Sequence, residues 1–133
     1  MAELRLTIAG APRTKKNSQQ IIMLKRKGQR PRRIVKPSQA WESWAEHSLP
    51  IIAQQIRRSP IRTPLPDQPY NCAAFFYRDA DRGDAVGFYQ GLADLLEKAG
   101  VLSDDKWLVS WDRSRLLIDR ENPRVELVLT RVA

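Results

Sequence analysis

A chain of 133 residues with 23 Lys/Arg against 15 Asp/Glu carries a net charge of +8, and 42% of it is apolar. This is enough for one packed core, too short for two comfortable domains, and it excludes wholesale disorder. The lone cysteine, Cys72, excludes an intramolecular disulfide, and no apolar run reaches the roughly 18 residues of a membrane span or forms an N-terminal secretion signal, so the expectation is a cytoplasmic single domain over 1–133.

Leu4, Leu6 and Ile8 alternate with Arg5 and Thr7, the pattern of a half-buried strand that Gly10 ends. A polar, basic loop follows over residues 11–18. Ile21–Leu24 and Ile34-Val35 read as two short strands. Between them, residues 25–33 hold six cations (Lys25, Arg26, Lys27, Arg30, Arg32, Arg33) in nine residues and no acid. A hairpin with a cationic tip is predicted. Ser38 is placed to cap a helix whose Trp41, Trp44, Ala45 and Leu49 share one face, and Pro50 is expected to kink or restart it. Residues 59–69, with four prolines, form a connector.

Asn71–Tyr77 reads as a buried strand entering Asp81-Arg82-Gly83-Asp84. Phe88, Leu92, Leu95, Leu96 and Ala99 then keep helical spacing, and Lys98 and Gly100 suit the end of that helix. Leu108–Trp111 and a segment holding Val125, Leu127 and Leu129 complete the strands. The class is α/β or α+β, a mixed sheet of four or five strands with two main helices.

Charge divides the chain. Residues 1–69 hold 14 Lys/Arg and 4 Asp/Glu (+10), residues 70–133 hold 9 and 11 (−2), and the halves sum to +8. A basic half favours a polyanionic partner, above all nucleic acid. Carboxylates on such a protein suit a metal-dependent nuclease, in which cations hold the phosphates and acids hold the metal. The candidate acids are Asp81, Asp84, Asp104 and Asp105. A helix of about 14 residues is roughly 21 Å long, and five extended residues cover at most about 17 Å. Asp84 can therefore meet Asp105 only if the chain turns straight back along the helix. Two or three converging carboxylates would suffice for Mg²⁺. The alternative is that Asp81 and Asp84 cap the helix while Asp104-Asp105 form an exposed turn.

Arg82-Gly83-Asp84, Gln90-Gly91-Leu92-Ala93-Asp94-Leu95-Leu96, Lys98-Ala99-Gly100-Val101 and Asp104-Asp105 together resemble the RusA family of Holliday junction resolvases. Ile8-Ala9-Gly10-Ala11-Pro12 is similar to the family's first strand and proline loop. The resemblance is carried by residues 75–130 and is weaker before them. It implies a homodimeric, Mg²⁺-dependent endonuclease, with Mn²⁺ as an alternative ion, that cuts four-way DNA junctions in recombination and repair. Such enzymes are often encoded by phages or prophages and act in the cytoplasm of a bacterial or phage-infected cell. By position, Asp84 matches the motif's first acid, and Asp105 with Asp104 the later acid pair. Val86 stands where the second Asp is expected, Gly87 where an Asn is, and Gln90 where a functional lysine is. Either Asp81, helped by Asp112, replaces the missing ligand, or the protein binds branched DNA without cutting it.

Other residues have two readings each. Lys15 and Lys16 would neutralise the scissile phosphate if their loop approaches the metal, and are otherwise solvated. The Lys25–Arg33 run would contact DNA backbone, giving affinity without base preference. Trp41 and Trp44 suit core or dimer packing better than base stacking, and Trp111–Arg115 a sheet edge near the acids. His47 has no partners for a zinc site, and Cys72 reads as a small core residue. No phosphate-binding loop or dinucleotide fingerprint is present, so no nucleotide cofactor is expected. A non-catalytic branched-DNA- or RNA-binding module is the alternative function.

Overall fold

The computed structural model describes residues 3–15, 20–25, 27–36 and 38–133. Its strands are β1 (Leu4–Ala9), β2 (Gln20–Leu24), β3 (Arg32–Lys36), β4 (Tyr70–Arg78), β5 (Leu108–Ser110), β6 (Arg115–Ile118) and β7 (Arg124–Arg131), and its helices are α1 (Gln39–Arg57) and α2 (Ala85–Lys98). The main sheet runs β1-β7-β4, with β5 and β6 both pairing parallel to β4. β1 and β4 flank β7 antiparallel. β2 and β3 form a separate antiparallel hairpin, as the sequence predicts.

Alternation decides which face of the sheet is buried. The register aligns Ile8–Val125–Phe76, Leu6–Leu127–Ala74 and Leu4–Leu129–Cys72 across three strands, and all nine side chains are buried. They pack with Trp41, Trp44, Ile52, Phe88, Leu92, Leu95 and Leu96 from the two helices. This is the α+β domain expected, with five strands in its main sheet. Among the described residues, no helix is long and apolar enough to cross a membrane.

Ser38 caps α1 by accepting from the Trp41 N–H (3.1 Å). The helix runs through Pro50 as one element and ends at Arg57. Pro50 and Glu46, whose carbonyl loses its intrahelical donor, are both exposed, so water can replace that bond. Further on, the Gln55 carboxamide pairs with the Thr7 N–H (2.9 Å) and C=O, covering the free edge of β1.

Asp84 caps α2, accepting from the Gly87 N–H (2.8 Å). The other end closes with Gly100 at φ 74°, where Gly100 N–H donates to Glu97 O (3.0 Å) and Val101 N–H to Leu96 O (3.0 Å). That reversal buries Val101 and Leu102 and sends residues 103–105 back beside the last turns of α2.

Candidate functional site

The chain does turn back along α2, but only part of the way. Asp105 N–H donates to Glu97 Oε1 (3.2 Å), and Asp104 caps a short 3-10 turn over Asp105–Trp107 by accepting from Lys106 N–H (2.9 Å). Carboxylate oxygens of Glu97, Asp104 and Asp105 lie within 4.8 Å of one another, a group that can hold a metal ion. Asp94, one turn before Glu97, lies close enough to Asp105 to push that carboxyl towards its protonated form.

Electrostatics distinguishes these acids from those at the other end of the helix. Asp105 titrates above the ordinary carboxylate range, first through desolvation and then through the charges of Glu97, Asp94 and Asp104. Asp79, near the start of α2, lies below that range, chiefly because Arg82 hydrogen-bonds it (2.6 Å). Asp79 and Asp81 are paired with arginines, whereas the charges of Glu97, Asp94 and Asp104 all press on Asp105. A hard cation relieves such repulsion, and three converging carboxylates are a donor set that suits one.

Asp84 and Asp81 are not brought into this group. Asp84 is spent on the helix cap, and about ten residues of helix, roughly 15 Å of rise, separate it from Asp94. The exposed Asp81 carboxylate pairs with Arg78 (3.2 Å), whose guanidinium also donates to the Arg82 and Leu117 carbonyls. Asp112 lies in an exposed turn outside the cluster.

Asp94 and Asp105 open onto a cleft of about 570 Å³. Val86, Tyr89 and Asp94 of α2 line it, with Asp105, Trp111 and Lys15 around them. Lys15, in the loop after β1, reaches the cleft wall beside Asp94. Its ammonium lies 2.8 Å from Asp94 Oδ2 and 4.7 Å from the centre of the Trp41 ring. Glycines make this approach possible. A Cβ on Gly87 would sit 3.0 Å from Thr14 Cγ2, and one on Gly91 would sit 2.9 Å from the Arg13 carbonyl oxygen. Residues 13–15 therefore lie directly on the backbone of α2.

The basic hairpin is rooted at the same place. Ser38 N–H donates to Lys15 O (3.4 Å), and Ser38 Oγ donates to Thr14 O (3.1 Å), so the chain carrying β2 and β3 leaves and returns beside the cleft wall. Lys25, Lys27, Arg30 and Arg32 are exposed, and Gly28 makes the turn at φ 78°. Arg33 lies in β3. Lys16 and Arg26 lie outside the described residues.

Trp41 and Trp44 are core residues, each 5% exposed, and the Trp41 Nε1–H donates to Gly91 O (3.2 Å). His47 is exposed, its Nε2 lying 3.1 Å from Ala9 O. Cys72 is fully buried, and burial pushes its thiol far above the ordinary range, which makes it unreactive. The sequence reading assigned no role to Asp94, Glu97 or Tyr89. The spacing of Asp94 and Glu97, i and i+3 on the helix preceding Asp104-Asp105, was the available signal. In comparisons with known proteins, no family model and no curated protein matches this chain.

Proposed function

We propose that this protein is a metal-dependent DNA endonuclease of RusA type, a homodimer that nicks four-way junctions. The observation that carries the reading is the carboxylate group of Glu97, Asp104 and Asp105 at the margin of an open cleft, which Asp105 lines together with Asp94 and with the lysine at the root of a cationic hairpin. Glu97, Asp104 and Asp105 would hold Mg²⁺ or Mn²⁺, with Asp94 beside them. The bound ion would supply Lewis acidity and a water of lowered pKa for phosphodiester hydrolysis. Asp105, which its neighbours press towards the protonated form, stays ionised once a cation offsets their charge. The Lys15 ammonium exchanges Asp94 for a phosphate oxygen and orients the scissile strand. Lys25, Lys27, Arg30 and Arg32 hold the flanking backbone without reading bases. A two-fold dimer matches the two equivalent strands of a four-way junction.

Asp84 acts in this reading as the cap that fixes α2, and thereby the cluster. A labelled four-way junction incubated with and without Mg²⁺ tests both assignments. Paired nicks that need the metal, vanish in Asp105→Asn and persist in Asp84→Asn are expected, because asparagine caps a helix as well as aspartate does. Nicking that survives Asp105→Asn would refute the site. Loss in Asp84→Asn with the fold intact would return the metal to the N-terminal end of α2. A second reading is favoured by Val86, an exposed apolar side chain in the cleft where a ligand is expected. It predicts junction binding that is indifferent to Mg²⁺, without scission.

A further inference from the structure

The cleft that holds the acids also holds two parallel aromatic rings. Tyr89 and Trp111 stack with centroids 4.5 Å apart and planes 4° from parallel. Tyr89 leans in turn on the buried Phe76, at 6.0 Å and 40°, and both stacked rings pack against the core while lining the cleft. Trp111 keeps part of its surface exposed, unlike the buried Trp41 and Trp44.

The turn that presents Trp111 is braced from several sides. Ser114 N–H donates to Trp111 O (3.1 Å). Asn71 Oδ1 accepts from Ser110 Oγ (2.7 Å) and Asp112 N–H (2.7 Å), while its Nδ2 donates to Asp112 O (3.2 Å). Ser114 Oγ accepts from Ala74 N–H (3.0 Å) and donates to Cys72 O (3.1 Å). Within this frame Arg113 is held at φ 70°, a conformation that costs any residue but glycine. These bonds fix the backbone that carries the indole at the cleft.

We infer that the Trp111 indole, backed by Tyr89, is a stacking platform for a nucleobase of the DNA strand held at the carboxylates. This rests on the endonuclease reading above. Unpaired or weakly stacked bases at the centre of a branched junction present the required ring face, and any base will serve. Because the indole is already fixed, little ordering cost opposes the stack.

The test uses the uncleaving Asp105→Asn protein and a four-way junction with 2-aminopurine at its centre. Fluorescence quenching and affinity are compared with those of the same protein carrying Trp111→Leu or Trp111→Phe, each checked by circular dichroism. Trp111→Leu should abolish the quenching and weaken binding by about five- to a hundred-fold, the range one aromatic–base stack supplies. The salt dependence should not change, because no phosphate contact is lost. Trp111→Phe should keep most of both signals. Unchanged quenching and affinity in folded Trp111→Leu would overturn the platform, as would a loss accompanied by a shallower salt slope. If the leucine variant does not fold, Trp111→Gln takes its place, with unchanged affinity and quenching counting against the platform. Metal-dependent nicking that is indifferent to Trp111 would remove the platform and leave the endonuclease. Absence of DNA binding in the wild-type protein, or a preference for A-form RNA, would remove both.

Discussion

Adding one methyl group at Gly91 should destabilise this protein, although the same change stabilises most helices. Replacing glycine by alanine inside a helix usually gains about 1 kcal/mol. At Gly91 the new Cβ would lie 2.9 Å from the Arg13 carbonyl oxygen, and 3.2 and 3.3 Å from Nε1 and Cδ1 of Trp41. Overpacking of this kind costs about 1–3 kcal/mol. Pushing Trp41 away also weakens its 3.2 Å bond to Gly91 O, and a buried donor left unpaired costs about 1–3 kcal/mol. The balance is a net loss of about 1–5 kcal/mol. In a domain of this size that lowers the melting temperature by roughly 4–18 °C. Thermal melts of Gly91→Ala followed by circular dichroism would read the shift. Gly100→Ala is the control, since nothing lies within 4 Å of its Cβ and only its φ of 74° is unfavourable. It should cost about 1 kcal/mol without disturbing Lys15. A Gly91→Ala protein melting at or above the wild-type temperature would refute the packing of residues 13–15 on α2.

Asp105→Asn should raise the melting temperature of the metal-free protein at neutral pH. A carboxyl whose folded pKa is raised carries a penalty that is complete above the folded value, so the gain should fade as pH falls towards the ordinary 3.8. Melts across that range check the sign, and a gain that grows on acidification would contradict it. Mg²⁺ should stabilise the wild type by mass action and Asp105→Asn much less, as melts against metal concentration would reveal. Ser38→Ala removes both the α1 cap and the bond to Thr14 O from a residue only 1% exposed, and should cost about 1–3 kcal/mol in urea unfolding. Replacing Lys25, Lys27, Arg30 and Arg32 by glutamine should flatten the plot of log affinity against log salt by about 0.9 per lost phosphate contact. An unchanged slope would remove the hairpin from the DNA interface.

Strictly alternating or capped segments were legible in the sequence. The alternation of β1, the Ser38 cap, the Gly100 stop and the cationic hairpin each rest on local chemistry, and each stands in the structure. β6 was not legible, because Arg115–Ile118 has no alternation and exists by pairing with Phe75–Arg78. The unbroken passage of α1 through Pro50 depends on which side of the helix faces water, and that is a tertiary fact. The acids show the same division. That the chain reverses after α2 is written in Gly100, but how far back it reaches is set by the burial of Val101 and Leu102. That distance puts Asp105 beside Asp94 and Glu97 and leaves Asp84 to its cap. Likewise, Arg78 and Arg82 engage Asp81 and Asp79 only because the strand-to-helix turn folds them together.

The closure at Lys15 and Ser38 has a consequence for how such a protein can change. Because those two residues are already hydrogen-bonded, the segment between them begins and ends at one point on the domain. Shortening, lengthening or exchanging it alters the closure entropy only slowly with length. The sheet, both helices and the carboxylates would keep their places. If the proposed function holds, a surface for one shape of nucleic acid is exchangeable for another as a cassette while the carboxylates stay in place.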